Sequence, residues 1–158
     1  MRFGLFGGAS RGAGQDGDSQ SYRAFIDYVV EAERLGFESV FLVEHHFTGT
    51  GQLSASLTLL SYLAGLTKTM RLGTAVTVMP WHNPVLLAEQ AATVDLVSDG
   101  RLDFGVGRGY RPNEVHGFRV DPGEAQARYE EALELVLKCW TTKERFSFDG
   151  RFWHFRDV

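Results

Sequence analysis

Ser39-Val40-Phe41-Leu42-Val43-Glu44-His45-His46-Phe47 is the stretch on which the fold turns. Ser39 to Glu44 begins as a short apolar run, the signature of a strand buried in a parallel sheet. Its end, Glu44-His45-His46, is polar and titratable. Proteins of the α/β class place their chemistry at the carboxyl ends of parallel strands. The passage from apolar to polar therefore marks both a strand and a candidate site.

The same unit recurs on either side. Arg2 to Gly8 reads as a strand, with Phe3 and Leu5 apolar, and a polar glycine-rich loop follows to about Asp18. Tyr22, Phe25, Ile26, Val29 and Val30 recur at helical spacing as far as Leu35-Gly36, where Gly36 is suited to a left-handed helix stop. Leu53 to Thr67 predicts a second helix, with Leu57, Leu60 and Ala64 on one face, and Arg71 to Met79 a third strand. Asn83-Pro84 opens a third helix, because asparagine caps and proline loses no hydrogen bond at the first position. That helix runs to about Val97 and stops at Asp99-Gly100. Arg101 to Gly107 is the fourth strand. Glu124 to Trp140 is the fourth helix, with Tyr129, Leu133, Val136 and Trp140 on one stripe. Finally, Asp149-Gly150 between two aromatic runs predicts a tight hairpin over Phe146 to Trp153.

The chain therefore reads as one domain, residues 1–158, of four βα units and a hairpin. Parallel neighbours need crossover helices, so the sheet is parallel and helix-covered. Two architectures satisfy this. A doubly wound sheet puts helices on both faces and reverses its strand order. The first half of a (βα)8 barrel uses four of the eight units that close in about 250 residues.

Composition narrows the function classes. The chain is 44% apolar and 23% charged, ordinary for a globular domain. Its net charge of -4 is scattered, which argues against nucleic-acid or anionic-membrane binding. No apolar run reaches membrane-spanning length, and the opening residues turn glycine-rich too soon for a signal peptide, so a cytoplasmic location is expected. One cysteine, Cys139, excludes an internal disulfide; its neighbours Val136, Leu137 and Trp140 suggest a buried structural thiol.

Three groups of residues are candidates for chemistry. Gly12-Ala13-Gly14-Gln15-Asp16-Gly17 matches the dinucleotide pattern GxGxxG. It begins several residues after the strand, however, and Asp16 and Asp18 would repel a pyrophosphate, so it reads as a loop. A nicotinamide-dependent oxidoreductase is the function this loop would imply. Gly105-Val106-Gly107-Arg108-Gly109 is better placed at a strand end. Its glycines allow close approach of a ligand, and the Arg108 fork suits a phosphate; a plain glycine turn with a solvated arginine is the alternative. His45 and His46, as adjacent strand residues, would point to opposite faces and make poor joint metal ligands. One is a candidate acid or base; two structural histidines are the alternative. His82, His116 and His154 show no partner pattern, and no metal site is expected.

Taken together these motifs resemble the bacterial luciferase-like flavin-dependent monooxygenases. The resemblance runs through Arg2-Phe3-Gly4-Leu5-Phe6, Gly36-Phe37-Glu38-Ser39-Val40 into Glu44-His45-His46-Phe47, and Arg71-Leu72-Gly73-Thr74-Ala75-Val76 to Pro80. It continues through Ser98-Asp99-Gly100-Arg101-Leu102-Asp103-Phe104-Gly105-Val106-Gly107-Arg108-Gly109 and Phe148-Asp149-Gly150-Arg151-Phe152-Trp153. It covers essentially the whole chain, in family order, and the motifs are specific as a set. It implies a (βα)8 TIM-barrel fold, of which this chain would be the N-terminal half.

The resemblance also implies reduced FMN as cofactor, with the deazaflavin F420 in one branch. O2 would add at the flavin C4a to give a hydroperoxide that oxygenates a small organic substrate. A separate reductase would supply the reduced flavin, and a homo-oligomer is expected. A non-catalytic flavin-binding half barrel that dimerises is the competing function. By the resemblance His45 is the catalytic residue, with His46 turned away to support the strand end. Ala75-Val76 matches a position where the family has a non-prolyl cis peptide against the flavin ring. Gly107 stands where luciferase itself carries a reactive cysteine, which argues against luminescence. Arg108 matches a phosphate-binding arginine, with the Gly109 and Tyr110 backbone beside it. A second phosphate arginine of the family is replaced by Gln126, and Arg128 lies about 200° round the helix from that position.

Overall fold

The structure, a computed structural model, describes residues 1–10, 17–49 and 53–158. The Gly12–Asp16 part of the glycine loop lies outside the described residues. The chain divides into two compact units. One is Met1–Thr77 with Thr93–Val106; the other is Val78–Ala92 with Gly107–Val158.

The first unit contains a four-stranded parallel sheet of β1 (Gly4–Gly7), β2 (Ser39–Leu42), β3 (Arg71–Thr74) and β5 (Leu102–Asp103), in that spatial order. Leu5 pairs with Val40, Val40 with Leu72, and Leu72 with Leu102. The order follows the chain without reversal. This is the sheet of half a (βα)8 barrel, left unclosed, and not a doubly wound one. Helix α1 (Gly17–Arg34) joins β1 to β2, and α2 (Ser56–Leu66) joins β2 to β3. Helix α3 (Pro84–Val97) precedes β5. A short ladder pairs β4 (Thr77–Val78) with β6 (Val106–Gly107).

Alternation along each strand decides which side is core. Leu5, Val40, Leu42 and Leu72 are buried in one cluster with Val29 and Ala32 of α1, Leu60 and Leu63 of α2, and Val94 of α3. Each such leucine or valine contributes about 1.5–3 kcal/mol through removal from water. Phe6, Phe41 and Gly73 occupy the next register row and face the other way. Phe6 is 74% exposed there. A Cβ on Gly73 would collide with the Phe41 ring, so glycine makes room for that ring.

The helix ends follow local chemistry. Gly36 has φ +89, its N–H donates to the Glu33 carbonyl, and the Phe37 N–H donates to that of Ala32. This is the Schellman ending that Gly36 predicts. Asn83 Oδ1 accepts from the Val85 and Leu86 N–H groups at 3.0 and 3.1 Å, capping α3 as expected. Asp99 and Gly100, both at positive φ, end that helix. The Arg101 guanidinium then donates to the carbonyls of Ala64, Met70 and Ser98 and to Thr67 Oγ1, satisfying groups at the ends of both α2 and α3.

The second unit holds a 3₁₀ turn (Met79–Trp81), the short helix α4 (Pro112–Gly117), α5 (Ala125–Thr141), and the antiparallel pair β7 (Phe148–Asp149) and β8 (His154–Phe155). Trp81 stacks on Phe118 at 5.1 Å between ring centres. Trp140 donates its indole N–H to the Ala88 carbonyl at 3.0 Å.

Five expectations are corrected. The third strand does not run to Met79: β3 ends at Thr74, and a cis peptide at Ala75–Val76 separates it from β4. The fourth strand is split at Gly105, whose carbonyl accepts from Thr74 Oγ1 and from the Thr77 N–H. The Asp149-Gly150 turn is not a two-residue hairpin. Its loop spans Gly150 to Trp153, because the Glu131 carboxylate accepts the N–H groups of Arg151, Phe152 and Trp153. The buried stripe of α5 is Ala125, Ala132, Leu135 and Val136, while Trp140 is 43% exposed. Cys139 is half-buried rather than buried. Helix α4 had no counterpart in the sequence pattern.

Glu33 ties α1 to the turn before β3. Its carboxylate accepts the backbone N–H groups of Lys68, Thr69 and Met70 at 2.7–3.1 Å. Burial alone would raise its pKa, but these hydrogen bonds outweigh burial and hold the carboxyl below its ordinary range. The stabilisation is therefore complete above the unfolded carboxyl range and is lost as pH falls through the lower folded value. Glu33→Ala is expected to cost about 2–3 kcal/mol at pH 7, measured by urea unfolding. The gap to the unsubstituted protein should close as pH falls below about 4.

Candidate functional site

In the first unit the carboxyl ends of β2 and β3 lie side by side, since Leu42 pairs with Thr74. Pairing within β2 ends at Leu42, so strand alternation does not govern His45 and His46. The backbone there is pinned from two directions. The Val43 N–H donates to the Gly7 carbonyl at 3.0 Å, and the His45 N–H to that of Leu53 at 2.9 Å. Phe47 then takes φ +54 and turns the chain. Both histidines are half-buried. Glu44, between strand and histidines, is only 3% exposed, and its Oε1 lies 3.0 Å from His46 Nε2.

Glu44 was absent from the sequence-derived candidates. Its only signal was its place in the polar run Glu44-His45-His46 at the end of an apolar strand. The His46 ring thus meets the carboxylate of a residue two positions before it.

The Ala75–Val76 peptide is cis, as the resemblance implied. The Ala75 N–H donates to the Leu42 carbonyl at 2.7 Å, which fixes this peptide beside the end of β2. Val76 is 38% exposed and Ala75 half-buried. Thr77, directly after them, has a buried hydroxyl with no hydrogen-bond partner among the described residues. His45, Ala75 and Val76 thus belong to the same unit and to adjacent strand ends.

Gly107, Arg108, Gly109 and Tyr110 belong to the second unit. Gly109 has φ +76, and a Cβ there would lie 2.7 Å from Val78 Cγ1 and from Trp81 Cζ2. Only glycine fits both the conformation and the space. Arg108 is exposed and makes no hydrogen bond or ion pair among the described residues. Tyr110 is 76% exposed. The same unit engages Arg128. Its guanidinium binds Glu124 at 3.2 Å and lies 4.4 Å over the Phe152 ring. Gln126 donates to Glu130 on its own helix at 2.8 Å.

Other groups are set by packing. Burial, and then the nearby Glu89 charge, push the Cys139 thiol pKa up, which disfavours the thiolate. His154 pairs with Asp149 across the β7–β8 pair at 2.6 Å. Glu114 of α4 is a buried carboxylate that no sequence motif announced. Among the described residues no three His, Cys, Asp or Glu side chains gather as metal ligands would. No helix among them is long and apolar enough to cross a membrane.

The profile of the family described as "Luciferase-like monooxygenase" matches residues 1–158. The chain belongs to this family. Among luciferase-like relatives, the oxygenase component of the flavin-dependent trigonelline monooxygenase of Acinetobacter baylyi is 33% identical over 98% of this chain and 43% of its own length. The crystal structure of monooxygenase RslO1 from Streptomyces bottropensis superposes with a TM-score of 0.91 at 32% identity, covering 100% of this chain and 48% of that one. The oxygenating constituent of 3,6-diketocamphane monooxygenase of Pseudomonas putida, solved with FMN, shares the fold at a TM-score of 0.87 and 22% identity, over 98% of this chain and 42% of that one. The chain thus spans less than half the length of each of these proteins.

Gly109 is the position in this family member where a single methyl group tests the local geometry. Gly109→Ala is expected to destabilise the second unit by about 1–3 kcal/mol and to change the near-ultraviolet circular dichroism of Trp81. An unchanged melting curve would mean that the loop relaxes freely around an added Cβ.

Proposed function

We propose that residues 1–158 form the N-terminal half of a luciferase-like barrel that works as an FMN-dependent monooxygenase on a small organic substrate. The observation that carries this reading is Arg108, an exposed guanidinium that no carboxylate engages among the described residues, flanked by Gly107 and Gly109. An arginine fork left unneutralised beside glycines suits a phosphate, such as the one FMN carries. The flavin-dependent relative at 33% identity supports a flavin in particular.

Each residue then has a task. Arg108 binds the phosphate, while Gly107, Gly109 and the Tyr110 backbone let it approach closely. Ala75 and Val76 offer a small, partly exposed apolar surface to the flavin ring. His45, held by its backbone to Leu53, keeps or moves a proton at the reacting end. Reduced flavin, when bound, supplies the electrons that activate O2. A separate reductase regenerates the reduced flavin, and the chain works in the cytoplasm. A second reading, a flavin-binding half barrel that pairs with another copy and does no catalysis, is favoured by Phe3 and Phe6, 57% and 74% exposed. Sedimentation of the chain as a monomer would count against it.

Anaerobic titration of the chain with reduced FMN, followed by calorimetry, tests the assignment. Saturable binding is expected, weakened about 10- to 100-fold by Arg108→Ala. Binding of reduced F420 but not of FMN would assign the deazaflavin instead. His45→Ala is expected to keep FMN affinity and to slow reaction of the bound reduced flavin with O2 by about 100-fold or more, followed by stopped-flow absorbance. An unchanged rate with flavin still bound would remove His45 from the chemistry.

A further inference from the structure

We propose that Glu44 is a positioning residue that acts through His46, its buried carboxylate fixing the neutral imidazole in the Nε2–H form and leaving Nδ1 as the ring's basic nitrogen. The inference rests on the reading above, that the ends of β2 and β3 carry the chemistry.

The argument begins with burial. The Glu44 side chain is 1% exposed and that of His46 16%. A carboxylate withdrawn this far from water is retained only where donors meet it. The Nε2 of His46, at 3.0 Å from Oε1, is such a donor. An ionised carboxylate only accepts, so the shared hydrogen sits on Nε2, and in a neutral imidazole the other nitrogen is then an acceptor. Carboxylate–imidazole contacts set tautomer and ring orientation in this way at metal ligands and in hydrolase triads.

The geometry is built into the fold. Hydrogen bonds from the N–H groups of Val43 and His45, to Gly7 and Leu53, hold the backbone on both sides of Glu44. The positive φ of Phe47 turns the chain immediately afterwards, and the Phe47 ring lies 5.9 Å from the imidazole, tilted by 46°. His46 is thus a ring of fixed orientation beside His45, rather than a passive support.

Imidazole ¹⁵N NMR of the uniformly labelled chain tests this directly, with His46→Gln used to assign the His46 signals. At a pH where the ring is neutral, Nε2 is expected to give a protonated signal and Nδ1 an unprotonated one. In Glu44→Gln the side chain can accept or donate, so the two nitrogen signals should move toward each other as the tautomers mix. A wild-type His46 with its proton on Nδ1 would overturn the proposal, as would an Nε2–H pattern unchanged in folded Glu44→Gln. The wild-type spectrum alone decides the first point, so a variant that fails to fold leaves the test intact. Flavin takes no part in this measurement. Failure of FMN binding would overturn the functional reading without touching the tautomer, and the reverse also holds.

Discussion

The parallel pairing of β2 with β1 on one side and β3 on the other is the constraint on which the first unit depends. Parallel neighbours cannot be joined by a tight turn, so each return passes through a helix. The helices place their apolar stripes over Leu5, Val40, Leu42 and Leu72. The same register brings every strand to its carboxyl end along one edge. Glu44 and His45 come shortly after Leu42, and Ala75 and Val76 follow Thr74, so topology rather than local propensity brings these residues to adjacent strand ends.

Half-buried charged side chains do the fastening between elements. Arg101 serves carbonyls at the ends of α2 and α3. Glu33 gathers three N–H groups before β3, and Glu131 gathers three in the loop between β7 and β8. In each case one charged side chain satisfies several backbone groups that no helix or strand could reach. Leaving such groups unpaired costs more than the net value of each bond. This accounts for charged residues within motifs that otherwise read as catalytic: Arg101 lies seven positions before Arg108, yet its work is structural.

Periodicity made the larger elements legible. The stretches containing α1, α2, α3 and α5 and the sheet strands were all marked, and Gly36 and Asn83 acted as the punctuation they resemble. The short features were not. Nothing in Thr74-Ala75-Val76-Thr77 marks a cis peptide by propensity; only the family resemblance located it. The hairpin went wrong because Glu131, far off in sequence, outweighed the Asp-Gly turn preference. Helix geometry already set Arg128 apart from the position of Gln126, but its partners Glu124 and Phe152 were not legible, because they meet it only after α5 and the β7–β8 loop have formed.

The sequence by itself determined the alternation of strands and helices, the family, and the identity of His45 and Arg108 as residues to watch, because periodicity and motif order are properties of the chain alone. Tertiary structure decided which strands are neighbours and that the sheet is an unclosed half barrel. It also decided that Glu44 is buried against His46 while Arg108 is exposed. The physical reason is that burial and pairing arise from residues distant in sequence. A carboxylate's role depends on whether water or a donor meets it, and only packing settles that.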